Sequence, residues 1–592
     1  MRPKLSLLTL ALLLAACTAA WSPARADVTF TKVWPEKIRY LNGETATFTI
    51  ALKNAGAQPW SGHLTSEIES GLDQRSPLSD LQATLAAGEE KVFQQTGKIN
   101  LGEFGHAIHV VADDGQTRVE ARDVFCVGPW YYNMGRYFTM FELGHVKSTE
   151  EAYASFRDRW RGTYADCFEL FSTMPGQVAQ VTPTTDTWFA GQNGFYASTV
   201  GTKSFIDACH RDGVAVMIYL IQGLAGLPAE EFTRAHPEWV DYNDRGRPQG
   251  AFNMADVDYA RTQTVENYKY TGPIWLSPDL NAAMQDHELQ DLITCSKLFK
   301  FDGIRWDGQS IAEGYDIHGK KIDGSDTANA LWNVRMCKTL QNALPGYTVN
   351  YNSYPQSQGE GAPESKTYKT LGPHSYLLWE SINGSFKDPN SPLNKWEGFI
   401  EGVRNEINDY ARPGGNFQHF GWYGFSSLDV HKNHTQAIYY ALGGHWDTGG
   451  KMKYDAFSMR YGEYLWDTKL VNMKDGSSRV QVVDPNNRLW WKQFVQERPR
   501  AGGGHLIVTH LLNKPVHERQ DEFEKEAPAP QTDIAVTLTP PAGEQVLRAF
   551  VLTPDADRNH WCARVTPVVR EGRATVIVPG VEYWSFVVWE TG

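Results

Sequence analysis

Between about residue 130 and residue 470, short apolar runs alternate with longer segments of helical periodicity. This alternation is typical of βα units around a parallel sheet. Eight apolar runs are predicted as strands, at 167–173, 214–220, 274–278, 301–307, 347–352, 375–380, 416–423 and 443–447. Helical patterns lie between most of them, for instance at 203–212, 283–299, 327–343, 395–408 and 433–442. The sequence therefore predicts a (β/α)8 TIM barrel over residues 129–478, with a long insert at 221–273 between the second and third predicted strands.

The segments on either side of this region have residue patterns typical of β-strands. Residues 27–128 alternate apolar and polar side chains with period two, which favours an immunoglobulin-like β-sandwich. Residues 479–592 contain further strand-like runs, among them 505–513 and 583–590. We therefore expect a multidomain chain, with the central barrel flanked by an N-terminal immunoglobulin-like β-sandwich and a C-terminal β-sandwich.

Residues 1–26 have the pattern of a signal peptide, with a basic start and an apolar run at 5–16 that is too short to span a membrane. Two cleavage patterns follow. The first resembles a bacterial lipobox ending before Cys17, and the second is an Ala-x-Ala site at 24–26. The sequence thus predicts an exported protein, either periplasmic or an outer-membrane lipoprotein, with ordinary secretion as the alternative. Membrane contact is expected only through a lipid on Cys17.

Charge and composition limit the partners. The chain has 56 Lys and Arg against 69 Asp and Glu, a net charge of −13, which disfavours nucleic acid and anionic lipid surfaces. Aromatic residues make up 12%, with 20 Trp and 26 Tyr, which fits either aromatic cores or the stacking of sugar rings. We expect a neutral oligo- or polysaccharide as partner. The sequence shows no phosphate loop and no metal-ligand spacing, so neither a cofactor nor a metal is expected. The six cysteines after Cys17 are scattered, and most are predicted to be buried.

The predicted fourth strand ends in a carboxylate. In a barrel of this kind the active site forms where the strands end, and Asp307 ends the run Phe301–Asp307. Arg305 lies two residues earlier and therefore on the same face of the strand. A cation there keeps a neighbouring carboxylate ionised, as a glycosidic nucleophile requires. The alternative role for Asp307 is loop capping.

The predicted sixth strand also ends in an acid. Glu380 follows an apolar run and stands next to Trp379. A hydrophobic wall raises the pKa of a carboxyl group, which suits a general acid at neutral pH. Strands four and six are two apart in the barrel, so a retaining pair with a carboxyl separation of about 5 Å is plausible. The alternative role for Glu380 is that of an ion-pair partner.

Short motifs resemble one known family. The stretch FDGIRWDGQ resembles the nucleophile strand of glycoside hydrolase family 66, which comprises dextranases and cycloisomaltooligosaccharide glucanotransferases. IWLSPDLN precedes that strand as a similar segment does in the family, and HLIVTHLLN at 505–513 resembles a family strand of the C-terminal β-module. The resemblance implies that Asp307 is the nucleophile and Glu380 the acid/base of an endo-acting, retaining attack on α-1,6-linked glucan.

Two features test this resemblance. Arg-x-Asp on the fourth strand is also typical of the α-amylase family, but that family places its acid on strand five. Here strand five ends in Asn350-Tyr351-Asn352, without an acid. Cyclising members of family 66 carry a large sugar-binding insert in the barrel; no insert of that size is seen here, so hydrolysis is favoured over cyclisation.

Further residues are predicted at the rim of the barrel. Asp279 and Asn281 are candidates for binding sugar hydroxyls, with loop capping as the alternative, and Asp447 is a candidate for orienting the reacting glucosyl unit. The candidate stacking platforms are Trp188, Trp275, Trp379, Trp422 and Trp446, for each of which burial is the alternative. Two other functions stay open at this point: a barrel glycosidase or transglycosylase acting on another glycan, and a non-catalytic surface glycan-binding lipoprotein.

Overall fold

The structure is a computed structural model that describes residues 26–129, 131, 134–137, 161–170, 173–176, 180–190, 195–221, 224–225, 232, 234–247, 250–251, 275–276, 281–307, 314–353, 375–379, 388–408, 417–421, 429–448, 452–522 and 525–592. For several strand residues, among them Asp307, Trp379 and Asp447, only the backbone is described. The predicted leader up to residue 25, including Cys17, lies outside the described residues. No helix in the described part is long and apolar enough to cross a membrane.

The N-terminal unit consists of two β-sheets. The strands up to residue 127 are β1 Val28–Pro35, β2 Arg39–Tyr40, β3 Thr45–Asn54, β4 Trp60–Ser70, β5 Gln74–Leu85, β6 Glu90–Lys98, β7 Phe104–Asp113 and β8 Arg118–Val127. One sheet has the order β1-β3-β6, and the other contains β8-β7-β4-β5. The rings of Phe48 on β3 and Phe125 on β8 lie 5.6 Å apart, so the two sheets face each other across a core. The predicted β-sheet module is confirmed, and its immunoglobulin-like character stays a prediction.

Eight parallel strands form a closed barrel. The strands from residue 134 to residue 448 are β9 Met134–Tyr137, β10 Cys167–Leu170, β11 Thr187–Ala190, β12 Phe195–Ser198, β13 Ala215–Ile221, β14 Leu224–Ala225, β15 Gly250–Ala251, β16 Trp275–Leu276, β17 Gly303–Asp307, β18 Thr348–Ser353, β19 Ser375–Trp379, β20 Phe417–Gly421 and β21 His445–Thr448. Around the barrel the order is β9-β10-β13-β17-β18-β19-β20-β21, and β21 pairs in parallel with β9.

Helices connect these strands. The described α-helices include α1 Thr199–Arg211, α2 Ala282–Phe299, α3 Asp326–Ala343, α4 Trp396–Glu406, α5 Asp429–Leu442 and α6 Asp455–Arg460. Short 3-10 turns lie at Pro237–Trp239, Pro392–Asn394, Gly462–Tyr464, Gly476–Ser478 and Arg558–His560. Ser198, Asn281 and Ser325 cap α1, α2 and α3 by accepting a backbone N–H of the first turn, which explains where each of these helices begins.

One predicted barrel strand is wrong and one observed barrel strand was not predicted, and the two errors cancel in the strand count. The run at 274–278 does not join the barrel: β16 pairs in antiparallel fashion with β14 and β15 in a small separate sheet. A short apolar run has the same pattern in either kind of sheet, so periodicity could not separate them. The first barrel strand is instead β9, whose sequence Met-Gly-Arg-Tyr contains no apolar run. Strands β17, β18 and β19 therefore remain the fourth, fifth and sixth, and the insert at 221–273 lies between the third and fourth strands.

The C-terminal region forms two further sheets in the same compact unit as the barrel. Its strands are β22 Val471–Asn472, β23 Val480–Val483, β24 Leu489–Trp490, β25 Val495–Pro499, β26 His505–Asn513, β27 Gln531–Leu538, β28 Val546–Leu552, β29 Cys562–Val565, β30 Val568–Arg570, β31 Arg573–Val581 and β32 Trp584–Thr591. One sheet has the order β22-β25-β26-β32-β28-β29, with β24 paired to β26, and the other β23-β27-β31-β30. Their inner faces share one cluster of buried apolar side chains, including Ile507, Val536 and Trp589.

The barrel has its own buried cluster. Cys167, Ala215, Met217, Tyr376 and Leu378 from three strands pack together with Tyr131. Five of the six described cysteines are buried, as expected, and Cys562 is partly exposed. This cluster is apolar. Active sites of such barrels form at the carboxyl-terminal ends of the strands, so chemistry is expected there.

Candidate active site

Asp307 is the last residue of β17, the fourth barrel strand. Its backbone stands in register with Ile221, the last residue of β13. The strand begins at Gly303, where a Cβ atom would overlap the backbone oxygen of Thr348 on β18, so glycine permits the close approach of the two strands. The backbone of Asp307 thus lies where it was predicted, at the carboxyl-terminal end of strand four. Its side chain lies outside the described part.

Arg305 lies in the barrel interior, two residues before Asp307. It is 0% exposed. Its Nη1 donates to Oδ1 of Asn350 on β18 at 3.3 Å, and its Nε lies 3.6 Å from Oε1 of Glu169 on β10. The guanidinium is enclosed by neighbouring strands, and its predicted role in binding substrate stays a prediction.

Glu169 is a buried carboxylate that sequence analysis missed. It lies on the second barrel strand in the run Cys-Phe-Glu-Leu and is 1% exposed. A lone acid inside an apolar strand was the available signal, because a carboxylate is rarely buried without a charged partner. Glu169, Arg305 and Asn350 thus form a polar layer inside the barrel, defined here as the interior polar layer.

Two tyrosines, Tyr131 and Tyr376, also lie buried inside the barrel. The backbone N–H of Tyr131 donates to the hydroxyl of Tyr376 at 3.4 Å, and the guanidinium of Arg39 lies 5.1 Å from the centre of the Tyr131 ring. Burial raises the pKa of Tyr376 well above its ordinary value. Burial also raises the pKa of Tyr131, so both phenols are neutral at physiological pH.

Asn281 has a structural role. Its Oδ1 accepts the N–H of Met284 at 3.1 Å, which caps α2, and its Nδ2 donates to the carbonyl of Glu238 at 2.8 Å. The loop-capping alternative is therefore the one that the structure shows. The second bond ties the start of α2 to the insert that follows the third barrel strand.

The same insert holds the loop that follows Asp307. Tyr242 and Tyr315 exchange two backbone hydrogen bonds of 2.8 and 2.9 Å. The hydroxyl of Tyr242 donates to the carbonyl of Pro237 at 2.9 Å. A Cβ atom on Gly314 would overlap the carboxylate of Asp241, so only glycine fits at that contact. Two rim loops, one after strand three and one after strand four, are thus held together.

Trp188 lies in a buried position. It is 5% exposed, its Nε1 donates to the carbonyl of Thr173 at 2.7 Å, and its ring lies 6.0 Å from that of Phe299. A sugar platform requires an exposed ring face, so this burial favours the alternative that the sequence left open, and the role of Trp188 as a platform stays a prediction.

The other predicted site residues are only partly described. For Trp275, Trp379, Trp446 and Asp447 the backbone alone is described, within β16, β19 and β21. Asp447 stands in register with Met134 of β9. Glu380, Asp279 and Trp422 lie outside the described residues, and Glu380 directly follows the last residue of β19 in the sequence. Their predicted roles stay predictions.

One group of side chains in the N-terminal unit has the composition of a metal site. Ligand atoms of Glu67, Glu69 and His109 lie within 4.8 Å of one another. Arg75 bonds to Oε1 of Glu67 at 2.6 Å, and Arg122 donates to Oε2 of Glu69 at 3.0 Å. Guanidinium groups already neutralise these carboxylates, so the group is explained as an ion-pair network.

Comparisons with known proteins add a relationship. No family model matches the chain. A cycloisomaltooligosaccharide glucanotransferase from Niallia circulans is 23% identical over 300 residues, which is 49% of this chain and 29% of the relative. A solved cycloisomaltooligosaccharide glucanotransferase from Paenibacillus sp., in complex with cycloisomaltoheptaose, superimposes with a TM-score of 0.73 at 13% identity and covers 95% of this chain and 100% of that one.

The chain is homologous to cycloisomaltooligosaccharide glucanotransferase. The resemblance to family 66 that the sequence motifs predicted is thereby confirmed, together with the order of β-sheet domain, parallel α/β region and antiparallel β-sheets. The sequence match spans less than a third of the curated glucanotransferase. A noncanonic maltogenic α-amylase from Thermotoga neapolitana also superimposes, with a TM-score of 0.45 at 12% identity over 78% of this chain and 98% of that one.

Proposed function

We propose that this chain is an exported retaining glycoside hydrolase that cleaves α-1,6-glucan within the polymer. The observation that carries the proposal is the place of Asp307 at the carboxyl-terminal end of strand four in a closed parallel barrel. Active sites of such barrels form at that end. The homologue acts as a glucanotransferase, and its relative was solved with a cyclic isomaltooligosaccharide, which supports an α-1,6-linked glucan as substrate.

The reaction proceeds in two displacements. The carboxyl group of Glu380 donates its proton to the glycosidic oxygen while the carboxylate of Asp307 forms a bond to C1, and the leaving sugar departs as an alcohol. Glu380, now ionised, then takes a proton from water, whose oxygen attacks C1 and releases Asp307. Atoms and charges balance, and the anomeric configuration is retained.

The spacing of the strands supports this division of roles. Strands β17 and β19 are separated by β18 alone. Neighbouring strands are about 4.8 Å apart, which supports the proposal that Asp307 and Glu380, at or directly after the ends of strands four and six, flank one glycosidic bond. Strand five ends without an acid between them, which leaves the two carboxyl groups as the reacting pair.

Transglycosylation is the second candidate. The homologue's name is that of a transferase, and in such a reaction the hydroxyl of an acceptor sugar replaces water in the second displacement. The product mixture separates the two: hydrolysis releases new reducing ends in proportion to bonds cut, while transfer preserves their number.

The test is a product assay with the full-length protein. We expect reducing ends to appear with dextran and not with starch, and Asp307→Asn to lower kcat/KM by at least about 10³-fold without changing the melting temperature. Asp323→Asn, which changes an exposed aspartate of the same loop, is the matched control. Cleavage of starch alone would replace the proposed linkage, and an active Asp307→Asn variant would remove the proposed nucleophile. Binding of dextran without any cleavage by the unmodified chain would indicate the non-catalytic alternative.

Export is part of the proposal and has its own test. The leader predicts cleavage before Cys17 with lipidation, or after residue 26 without it. Mass spectrometry of the mature N-terminus from a bacterial host distinguishes a diacylated Cys17 from an unmodified Asp27, and retention of the leader would contradict both.

A further inference from the structure

One face of the second N-terminal sheet carries a continuous groove. Strands β5, β4 and β7 pair side by side, and β5 is the edge strand. Two adjoining cavities lie on this face, one of about 470 Å³ and one of about 520 Å³. Both are lined by Thr65, Asp80, Val111 and Arg118, so they form one groove, which we call the sheet groove. Ligand sites enclose roughly 300–1,000 Å³, so each half has room for a small ligand.

The edge strand is bent beside the groove. Ser66 of β4 pairs with Ser79 of β5. The following residue, Glu67, pairs with Pro77, so Leu78 is an extra residue on β5. A bulge of this kind bends its strand and redirects the neighbouring side chains. Proline has no N–H to offer to a further strand, so Pro77 also protects this edge from pairing with another chain. The edge is therefore better suited to shaping a groove than to extending the sheet.

The middle of the groove combines an apolar floor with polar walls. Thr65 of β4 pairs with Asp80 of β5 on one side and with Val111 of β7 on the other. Val111 is buried, whereas the side chains of Asp80 and Arg118 are more than half exposed. Ligand sites typically have this make-up, with an apolar surface and a few well-placed polar groups. A sugar ring, which has C–H faces and a rim of hydroxyl groups, matches both parts.

The ionisable side chains of the groove are already paired with one another. Two ion pairs and one histidine–carboxylate pair line it, with N–O distances of 2.6 to 3.3 Å: Arg75 with Glu67, Arg118 with Asp113, and His63 with Asp80. A charged ligand would have to break one of these pairs. A carboxylate still has acceptor sites, and a guanidinium still has N–H groups, after one such contact. A neutral ligand with many hydroxyl groups can both donate and accept there, so the pairing favours it over an ion.

A buried histidine holds one wall in place. The side chain of His109 is 3% exposed, and its Nδ1 lies 2.8 Å from Oε1 of Glu67. Its Nε2 lies 3.1 Å from Oε2 of Glu120, and Arg75 donates to the same Oε1 of Glu67 at 2.6 Å. Glu67 is thus fixed from two sides. A side chain that is already ordered loses less entropy when a ligand binds, which favours recognition by this wall.

We propose that the sheet groove is a second, non-catalytic glucan-binding site in the N-terminal unit. That the glucan is α-1,6-linked rests on the proposed function, whereas the preference for an uncharged polyhydroxyl ligand rests on the groove itself. A second site on the same chain strengthens the binding of long polymers, because the second contact becomes intramolecular. It has no such effect on chains that are too short to occupy both sites.

The first test is the double variant Asp80→Ala, Arg118→Ala of the full-length protein. Binding is measured by affinity electrophoresis in gels that contain dextran, with Asp307→Asn added to prevent cleavage. We expect the apparent Kd to rise about tenfold, because contacts to charged groups are lost. In the catalytically intact background, kcat/KM is expected to fall several-fold on long dextran and to stay within about twofold on isomaltotriose. An unchanged melting temperature shows that both variants are folded.

The second test fills the groove instead of removing its walls. Thr65→Arg places a long side chain on the floor, and we expect the same selective loss on long dextran. This variant decides the question if the double variant does not fold. The matched control is Asp207→Ala, Lys300→Ala, which removes an exposed ion pair of 3.5 Å outside the N-terminal unit. We expect it to change neither binding nor the ratio of the two kcat/KM values.

Three results would overturn the inference. The first is unchanged binding in the folded groove variants, and the second is an equal loss of kcat/KM on long and short substrates. The third is retardation of the unmodified chain by dextran sulfate but not by dextran, which would indicate an anionic ligand. An unmodified chain that cleaves no α-1,6-glucan, or an active Asp307→Asn variant, signals failure of the proposed function instead. Gels with dextran or starch still test the groove in that case, because they measure binding and not cleavage.

Discussion

The C-terminal sheets and the barrel enclose two very different interiors. The first is lined by aliphatic side chains and one tryptophan, among them Ile507, Val536 and Trp589. The second begins with an apolar cluster at the floor and changes, towards the strand ends, to Glu169, Arg305 and Asn350. Both interiors are bounded by hydrogen-bonded strands, so the difference lies in which side chains the strands direct inward.

That difference separates stability from chemistry. Apolar burial contributes about 25 cal/mol per Å² of surface and needs no special geometry. A buried ion pair contributes little net stability. Removing one partner leaves an uncompensated buried charge, which is strongly destabilising. The C-terminal core therefore holds the unit together, and the barrel interior holds charges where a reaction can use them. The predictions below test this division, from the largest expected effect to the smallest.

The largest effect is expected from Ile507→Ala in the C-terminal core. Ile507 is 0% exposed, and truncation leaves a cavity that costs about 2–5 kcal/mol of unfolding free energy. Chemical denaturation measures the loss, while kcat per folded molecule is expected to stay the same. Ile577→Ala is the matched control, because Ile577 on β31 is 51% exposed and should change stability by less than about 0.5 kcal/mol. A fall in kcat at unchanged stability would contradict the separation.

The next effect is a loss of stability in acid. Burial lowers the pKa of His431 to about 3 and that of His434 to about 4. Both lie on α5, where their rings pack against Trp396. In the unfolded chain they titrate near 6.5, so only the unfolded state takes up protons as the pH falls below that value. The contribution of these two histidines to the free energy of unfolding is fully present above pH 6.5. It declines towards pH 4 by about 1 kcal/mol per histidine and pH unit.

Replacing both histidines tests this directly. The double variant His431→Gln, His434→Gln is expected to show a flatter dependence of the midpoint of urea unfolding on pH between 6.5 and 4.5. His560→Gln is the control, since that ring is 76% exposed. If the double variant keeps the full acid dependence, the acid loss of stability has another source. Under the proposed function the acid limb of activity reports on Asp307, so we expect it to remain in place in the double variant.

The smallest effect concerns Asn281 at the rim. Asn281→Ala removes the cap of α2 and is expected to lower stability by about 1 kcal/mol. The KM for dextran should change less than twofold, because the carboxamide is used by Met284 and Glu238. A rise in KM without a loss of stability would restore the sugar-binding role that the sequence suggested.

Much of this architecture follows from sequence pattern. Strand β26 was predicted with its observed bounds of 505–513, because its long apolar run is bounded by turn residues. Asp307 was placed on the fourth strand, and the two misassigned strands did not disturb that position. Strand β9 could not be found, since Gly135 and Arg136 interrupt any apolar pattern and only barrel closure makes it a strand.

The details of the site were harder to predict. Arg305 was expected to meet the substrate because strand alternation gives the face of a side chain but not its depth below the strand end. Glu169 was missed because its partner lies 136 residues away in the sequence, 305 less 169, and meets it only through the barrel. Trp188 was ambiguous for a similar reason, since the exposure of a tryptophan ring depends on Phe299, which lies far along the chain.

The most direct measurement of the central claim is the trapping of the covalent intermediate. The protein is incubated with a 2-deoxy-2-fluoro glucosyl fluoride, which slows the second displacement, and its peptides are examined by mass spectrometry. We predict one added glycosyl group, located on Asp307 within the FDGIRWDGQ segment and absent from the Asp307→Asn variant. Turnover of dextran with no adduct, or an adduct on a different carboxylate, would contradict the assignment of the nucleophile.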